Sequence, residues 1–242
     1  MESALPGVEV WVVQQHAPKV KTRLDAYETL LTDDERQRAL RFMHEADRQR
    51  FIIGRALART MLTHYGGLPP SAWPIVIDEH GRPELGAHDV SVPDLRFNLS
   101  HTDGLIACAL TLAREVGVDV ENIRRRVTYE LPERFFSPRE VADLRALPRE
   151  HQDVVFFDYW TLKESYIKAR GLGLALPLGQ FTFVRSGTTP HIEFAPELPD
   201  DPASWQFAQF WPTPSHRLAV AVRRQGEDVP IVVSDVVPEV AE

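Results

Sequence analysis

The sequence predicts an α+β protein built as two similar lobes, and three observations support this prediction. The chain has 242 residues, enough for two domains that each bury a core of their own. Each half contains one long helical pattern with an Arg/Lys face, followed by several strand patterns. The halves share this order of elements without a residue-level repeat. We therefore predict lobes at residues 1–114 and 115–242.

The N-terminal half begins with a strand pattern and continues into a basic helical region. Apolar and polar residues alternate in "VEVWVV", which predicts a strand. Thr32 and Glu35 have the spacing of a capping box, so we expect a helix to begin there. The most basic stretch of the chain runs from Arg36 to Arg59 and ends at "YGGLPP". The strand patterns that follow are "IVI", "GRPEL", "LRFNLS" and "LIACALTL".

The C-terminal half opens with "VGVDVENI", a strand pattern followed by three arginines. Ser137 is a suitable N-cap and Pro138 a suitable first residue for a helix through "SPREVADLRAL". A long helix is predicted from Phe156 to Arg170, ending at Gly171. The last strand patterns are "FTFV", "HIEF", "WQFAQF" and "RLAVAV", and residues after about Gln225 resemble a loose tail.

Composition excludes several classes of protein. The net charge of -8 is unlike that of a nucleic-acid-binding protein, and no apolar run approaches the ~20 residues of a membrane span. The N-terminus shows no secretory signal, so we expect a cytoplasmic protein. Cys108 is the single cysteine, which excludes an internal disulfide, and we interpret it as a small buried residue.

Two carboxylates of "VGVDVE" form the first group that could carry chemistry. Side chains alternate along a strand, so Asp119 and Glu121 point to the face opposite the valines. Glu164 and Lys168 share one face of the predicted helix. The pair Asp119 and Glu121 is also typical of the solvated face of an ordinary strand. The pair Glu164 and Lys168 is also typical of a weak ion pair on a helix surface. As an all-oxygen set, however, the three carboxylates suit Mg²⁺, and the lysine suits a phosphate.

The segment "FNLSHTDG" supplies a candidate anion site. Asn98 and Ser100 lie on the polar side of the predicted strand, and His101 lies where the turn begins. Ser100 is a poor nucleophile candidate because its neighbour His101 points to the opposite face. Backbone N–H groups near this turn can instead contribute to an anion nest. Further cations that could each bind a phosphate or only cover the surface are Arg38, Arg41, Arg50, Arg55 and Arg82.

Four motifs in this order resemble the 4'-phosphopantetheinyl transferases of the large two-lobed, surfactin-synthetase-activating type. They are "GRPEL", "FNLSH", "GVDVE" and "FFDYWTLKESYIKARGLGL". The basic region from Leu31 is similar to the N-terminal half of that family, and the resemblance extends to about Leu178. Each motif alone is weak. The combination of "GVDVE" with W-x-x-K-E-S-x-x-K about forty residues later is specific.

The resemblance implies an enzyme that uses coenzyme A and Mg²⁺, with Mn²⁺ left open as an alternative. A serine of an apo acyl or peptidyl carrier protein would attack the β-phosphate, and adenosine 3',5'-bisphosphate would be released. We expect the lobes in a pseudo-twofold arrangement, the active site at their interface, and a monomer. Peptide-synthetase, polyketide and fatty-acid carriers all remain open.

The metal side of the implied site lies in the C-terminal half. Asp119 matches the principal metal ligand of the family, and Glu121 matches a position that is acidic in many members. Glu164 would hold the metal or help to deprotonate the incoming serine, and Lys168 would neutralise the pyrophosphate. Carrier docking is expected on apolar residues mixed with basic ones such as Arg124–Arg126 or Arg170.

The nucleotide side of the implied site lies in the N-terminal half, where His101 is the expected phosphate donor. The other matched positions are Asn98 and Ser100 at the pyrophosphate and adenine side, Arg82 and Pro83 at the turn near the nucleotide, and Arg38 at the 3'-phosphate.

Three positions depart from the family pattern. Arg82 stands where lysine is frequent, and Glu35 where some relatives are basic. Phe51 replaces a hydroxyl residue that some members use at the phosphate. Recognition of the 3'-phosphate would therefore depend more on Arg38.

Two other functions fit parts of the pattern. A metal-dependent nuclease would also use carboxylates and a lysine, but such enzymes place acid and lysine two apart on a strand. The acidic net charge also disfavours it. A non-catalytic module that binds coenzyme A or a carrier protein is the second alternative. Asp119, Glu164 and Lys168 are all present, which argues against a module that has lost its catalytic activity.

Overall fold

The computed structural model describes residue 5 and residues 7–87, 94–173, 176–185 and 189–240. Its contacts divide the chain into two compact units, one of Met1–Ala113 with Pro230–Glu242 and one of Arg114–Val229. Each unit packs a sheet against a 22-residue helix, so the predicted α+β class is confirmed. No helix among the described residues is both long and apolar enough to cross a bilayer.

The first unit contains a four-stranded sheet in the order β11-β1-β5-β4. Its strands are β1 (Val8–Gln14), β4 (Leu95–Thr102), β5 (Leu105–Leu112) and β11 (Ile231–Asp235). A separate hairpin pairs β2 (Ile75–Ile77) with β3 (Pro83–Leu85). The residues at 1–4 and 6, which precede the predicted first strand, lie outside the described part of the chain.

Four helices belong to the first unit: α1 (Pro18–Lys21), α2 (Leu24–Thr29), α3 (Asp33–Ala39) and α4 (Glu45–Gly66). The predicted capping box is confirmed, because Thr32 Oγ1 accepts from the backbone N–H of Glu35 and the Glu35 carboxylate accepts from that of Thr32. The basic stretch is two helices, broken at residues 40–44. The apolar residues of α4, such as Ile53 and Leu57, are buried in the core of this unit.

The second unit contains a three-stranded sheet in the order β6-β10-β9 and a two-stranded sheet of β7 and β8. The strands are β6 (Val116–Asn122), β7 (Phe181–Val184), β8 (His191–Phe194), β9 (Trp205–Thr213) and β10 (His216–Arg223). The helices are α5 (Leu131–Phe135), α6 (Pro138–Arg145) and α7 (Arg149–Arg170). Ser137 caps α6 and Pro138 opens it, as predicted.

The long helix α7 begins at Arg149, two turns before the predicted start at Phe156. It packs directly on β6 because Gly117 has no side chain. A Cβ at Gly117 would lie 2.0 Å from the carbonyl oxygen of Ser165 and 2.4 Å from the amide nitrogen of Ala169. This contact fixes the distance between the strand that carries Asp119 and the helix that carries Glu164.

The prediction of a loose C-terminal tail is wrong for residues 231–235. They form β11, which pairs in parallel with β1 from Val8↔Ile231 to Val12↔Asp235. Beyond it, the carbonyl oxygen of Pro238 accepts a hydrogen bond from the buried Tyr27 hydroxyl at 3.2 Å. The predicted lobe of residues 115–242 therefore differs from the structure at its C-terminal end, where Pro230–Glu242 belongs to the first unit. Pairing between such distant segments leaves no trace in local periodicity.

Deletion of residues 230–242 tests the importance of this strand. The deletion removes the partner of β1 and leaves the Tyr27 hydroxyl without its acceptor, so we expect the melting temperature to fall by roughly 5–10 °C. Thermal unfolding followed by circular dichroism measures this. Val232→Ser, at a side chain that is 44% exposed, is the control that should melt like wild type. Equal melting temperatures for the deletion and wild type would contradict the prediction.

Candidate active site

The carboxylate site of the second unit is built from one strand and one helix. Asp119 on β6 is buried, with 7% of its side chain exposed, and its Oδ1 accepts from Lys168 Nζ on α7 at 2.6 Å. Glu164 lies one turn earlier on the same helix face. The structure thus brings together Asp119, Glu164 and Lys168, as the sequence predicted.

The pKa of Glu164 is raised to about 7. Burial is the largest cause, and the negative charge of Asp119 is the second. Lys168 lowers the pKa, while Glu121 raises it further. The charges of Asp119 and Glu121 both disfavour ionisation of Glu164, and Lys168 does not fully offset them. A cation bound among them would relieve this repulsion.

The donor set fits Mg²⁺ as a partial ligand set. Glu121 accepts from the Arg125 guanidinium at 2.9 Å, and Asp119 accepts from Lys168, so each of these carboxylates faces a cationic side chain. Within the described ranges, no group of three Asp, Glu, His or Cys side chains is arranged to hold a metal by itself. Mg²⁺ commonly binds through one or two carboxylates and completes its coordination with water and substrate phosphates. Asp119 and Glu164 provide such a pair.

Lys163, the first lysine of W-x-x-K-E-S-x-x-K, lies outside the carboxylate site. Its side chain is fully buried, and Nζ donates to the carbonyl oxygens of Leu178 at 2.8 Å and Phe181 at 2.7 Å. Its third contact is an ion pair of 2.8 Å with the buried Glu140. Burial lowers the pKa of Lys163 to about 8, while Glu140 counteracts this shift. Lys163 therefore joins α7 to α6 and to the segment before β7.

Two glycines follow α7. Gly171 caps the helix in the left-handed region at φ 66°, and Gly173 also has a positive φ, of 55°. Leu174, the last residue of the "GLGL" motif, lies outside the described residues. Arg170, predicted as a docking residue, pairs with Asp200 at 2.6 Å and donates to the Tyr166 hydroxyl at 2.9 Å. Asp200 also pairs with Arg223 at 3.1 Å, so one carboxylate is shared by two guanidinium groups. Docking by Arg170 or by Arg124–Arg126 stays a prediction.

A cavity of about 160 Å³ in the first unit collects most of the predicted nucleotide-side residues. Its lining includes Arg38, Pro83, Ser100 and His101, which come from α3, β3 and β4. His101 is exposed near the end of β4, as the strand pattern predicted. Cationic, hydroxyl and imidazole groups around one cavity suit a phosphorylated ligand.

Two predicted residues are absent from the described lining of this cavity. Asn98 is buried in β4, opposite Ala109 of β5. Arg82 lies on the turn between β2 and β3, where its backbone N–H donates to Asp78 Oδ1 at 2.7 Å. Its guanidinium lies 3.7 Å from a Glu84 carboxylate oxygen. The turn itself still reaches the cavity through Gly81 and Pro83.

The cavity lining also includes Arg50 and Arg55, which the sequence offered as possible phosphate-binding cations, and Phe51, which stands where some relatives have a hydroxyl residue at the phosphate. All three lie on α4, and the i, i+4 spacing of Phe51 and Arg55 was the available signal. The Phe51 ring contacts two guanidinium groups, with its centroid 5.5 Å from Arg38 Cζ and 5.2 Å from Arg55 Cζ. Phe51 thus holds two cations at the cavity, although it supplies no hydroxyl group.

Glu35 has a structural role at its position. Its carboxylate caps α3 and pairs with Arg55 at 3.2 Å and with Arg59 at 2.9 Å. Burial lowers the pKa of Arg55, and Glu35 opposes this shift. At a position where some relatives have a basic residue, this chain therefore has the acidic Glu35. The arginine at this side of the cavity is Arg55, which comes from helix α4.

Comparisons with known proteins give a consistent result. Residues 115–222 match a family model described as the 4'-phosphopantetheinyl transferase superfamily. Residues 15–112 match one described as 4'-phosphopantetheinyl transferase, N-terminal. The chain is 36% identical over 205 residues to the 4'-phosphopantetheinyl transferase HetI of Nostoc sp., covering 84% of this chain and 80% of that protein.

Two relatives from Bacillus subtilis extend this likeness. A 4'-phosphopantetheinyl transferase is 34% identical over 193 residues, which cover 80% of this chain and 82% of that protein. The 4'-phosphopantetheinyl transferase Sfp of strain 168 is 27% identical over 227 residues, which cover 93% of this chain and 97% of Sfp. The similarity therefore spans both units.

Lys163→Met tests the buried ion pair. The substitution leaves Glu140 buried without its counter-charge, so we expect the free energy of unfolding to fall by about 3–5 kcal/mol. Denaturant titration measures the change. The double variant Lys163→Met/Glu140→Gln should recover part of it, and Lys21→Met, at an exposed side chain, should cost much less. Wild-type stability of Lys163→Met would contradict a structural role.

The raised pKa of Glu164 predicts how stability depends on pH. The unfolded carboxyl ionises near 4.5 and the folded one near 7, so its stabilising contribution is complete below pH 4.5 and is lost as pH rises through 7. Glu164→Gln cannot ionise. In EDTA, it should therefore melt roughly 2–5 °C above wild type at pH 8 and lose this advantage near pH 5.

Melting curves recorded from pH 5 to 8 provide the measurement. Glu79→Gln, at a highly exposed carboxylate, is the control and should follow wild type at every pH. If Glu164→Gln also ran parallel to wild type, the assigned environment of Glu164 would be wrong.

Proposed function

The chain belongs to the 4'-phosphopantetheinyl transferase superfamily and transfers 4'-phosphopantetheine to carrier proteins, and we propose that it takes this group from coenzyme A with Mg²⁺ held by Asp119 and Glu164. The acceptor is the serine hydroxyl of an apo carrier protein, and adenosine 3',5'-bisphosphate is the second product. The alternatives of a nuclease and a non-catalytic binding module lose support, because the family match covers both units.

The observation that carries this proposal is the grouping of two carboxylates and one lysine between β6 and α7. Asp119 and Glu164 are close enough for their charges to interact, and Lys168 reaches Asp119 at 2.6 Å. Phosphoryl transfer depends mainly on positioning and on charge neutralisation, and this set provides both. Glu121 is a third candidate metal ligand, provided that its carboxylate leaves Arg125 and binds the metal instead.

The transfer forms one bond and breaks one bond at phosphorus. The serine oxygen would attack the β-phosphorus of coenzyme A, its proton would pass to a water molecule or to the Glu164 carboxylate, and the bond to the bridging oxygen would break as the nucleotide leaves. Mg²⁺ held by Asp119 and Glu164 would supply Lewis-acid stabilisation of the phosphate oxygens. Lys168 is placed to leave Asp119 and to donate to a pyrophosphate oxygen instead, which would neutralise the charge on the leaving group. The nucleophile comes from the partner protein, which agrees with the buried, inert Cys108.

We assign the nucleotide of coenzyme A to the cavity lined by Arg38, Pro83, Ser100 and His101. His101 and Ser100 would donate to phosphate oxygens, and Arg38 would pair with the 3'-phosphate. Arg82 and Asn98 stay predictions on this side. We further propose that one chain, with both units, is the working enzyme as a monomer, and that Mn²⁺ can replace Mg²⁺.

Intact-protein mass spectrometry of an apo carrier protein tests the proposal. Incubation with enzyme, coenzyme A and Mg²⁺ should add the mass of one phosphopantetheine arm, and EDTA should abolish the gain. Asp119→Ala should stay folded and lose turnover by at least about 10²-fold, because a ligand of the metal is gone. His101→Ala should retain more activity and mainly weaken coenzyme A binding.

Unimpaired turnover of Asp119→Ala would refute the metal assignment. No mass gain on several unrelated carriers, from enzyme that still binds coenzyme A, would refute the proposed reaction.

A further inference from the structure

The corner between α3 and α4 exposes three large apolar side chains in four residues. Leu40, Phe42 and Met43 are 67%, 37% and 92% exposed. Single exposed apolar residues are normal on a protein surface, but three large ones within four consecutive residues make this segment a candidate interaction site. They fall at the break between α3 and α4, where residues 40–44 are not helical. We call residues 38–43 the α3–α4 corner.

The positive charges of this region are divided into two groups. The stretch from residue 36 to 59 contains seven arginines, and five of them are held by carboxylates: Arg36, Arg48, Arg50, Arg55 and Arg59. The other two, Arg38 and Arg41, are exposed, and neither has an ion-pair partner among the described residues. Both belong to the α3–α4 corner. Its apolar side chains are therefore flanked by two cations whose charge is not neutralised.

The α3–α4 corner is continuous with the cavity assigned to the nucleotide. The ring of Phe42 lies 5.4 Å from that of Phe51, which lines the cavity. Arg38 belongs both to the α3–α4 corner and to the cavity, because it lines the cavity and also flanks the open surface around Arg41 and Phe42. A protein bound at this corner would therefore contact the rim of the cavity.

We propose that the α3–α4 corner is a docking surface for the carrier protein, which would bind through acidic and apolar side chains. This inference rests on the proposed function, in which the nucleophile arrives on a protein and has to be held beside coenzyme A. Arg41 stays available when coenzyme A occupies Arg38, and no described carboxylate pairs with it, so in a chain of net charge -8 its charge complements an acidic partner. Phe, Met and Arg are residue types that are enriched in protein interfaces.

A second copy of this chain is a poorer occupant of the same surface. In a two-fold interface the same patch contacts itself, so Arg38 and Arg41 of one copy would approach those of the other. Like charges brought together at an interface cost free energy. The acidic carrier avoids this repulsion, and the two occupants predict different results.

The test compares carrier binding with coenzyme A binding in exposed variants. Leu40→Ser/Met43→Ser removes apolar contacts, and Arg41→Glu reverses one charge. The matched controls are Val232→Ser and Lys21→Glu, which make the same kinds of change at exposed positions of the first unit. Calorimetry gives Kd for an acidic apo carrier and for coenzyme A. Initial rates give KM for each substrate.

We expect Kd and KM for the carrier to rise about tenfold in each corner variant, while the values for coenzyme A change less than about twofold. Higher salt should weaken carrier binding by wild type more than by Arg41→Glu. The controls should behave like wild type in every measurement.

Unchanged carrier Kd in both corner variants would overturn the proposal. Light scattering that showed a wild-type dimer dispersed by Leu40→Ser/Met43→Ser would assign the surface to a second copy and also overturn it. Failure of the proposed function is a distinct outcome, in which wild type binds the carrier and coenzyme A without any mass gain. The carrier Kd of the variants would then still decide the role of the corner.

Discussion

The close packing of α7 on β6 is the constraint on which the carboxylate site depends. Any side chain at residue 117 would overlap the backbone of Ser165 and Ala169, so only glycine permits this approach. Two residues further along β6, Asp119 points to the same face as Gly117 and therefore toward α7. Loss of this contact would separate Asp119 from Lys168 and would relieve the crowding that raises the pKa of Glu164. The site and the core packing are thus one structural feature.

Adjacent residues of α7 have opposite tasks because successive side chains of a helix point about 100° apart. Lys163 points into the unit, where Glu140 and two carbonyl oxygens satisfy all three of its N–H donors. Glu164 points to the carboxylates of β6. A buried ion pair is weak evidence for stability in itself, but it fixes how the helix is rotated. A rotation of α7 large enough to move Lys163 would also move Glu164.

The arginines of the first unit show how one residue type serves several purposes. Arg55 and Arg59 are buried against Glu35 and hold α4 to the start of α3. Arg55 also lines the nucleotide cavity, where its guanidinium group and that of Arg38 both contact the Phe51 ring. Arg41 is exposed at the corner and pairs with no described carboxylate. The local net charge of the stretch is therefore a poor guide to its function. The position of each arginine relative to the carboxylates decides its role.

The sequence by itself determined the α+β class, most elements in their order, the capping box of α3, the N-cap of α6 and the shared helix face of Glu164 and Lys168. These depend on periodicity and on short spacings, which a single segment contains. Only the tertiary structure decided that residues 231–235 pair with β1, that Lys163 is buried against Glu140, and that Arg170 pairs with Asp200. Each of these depends on a partner at least twenty residues away. Which distant group a strand edge or a charge meets is set by packing of the whole unit, and local patterns do not record it.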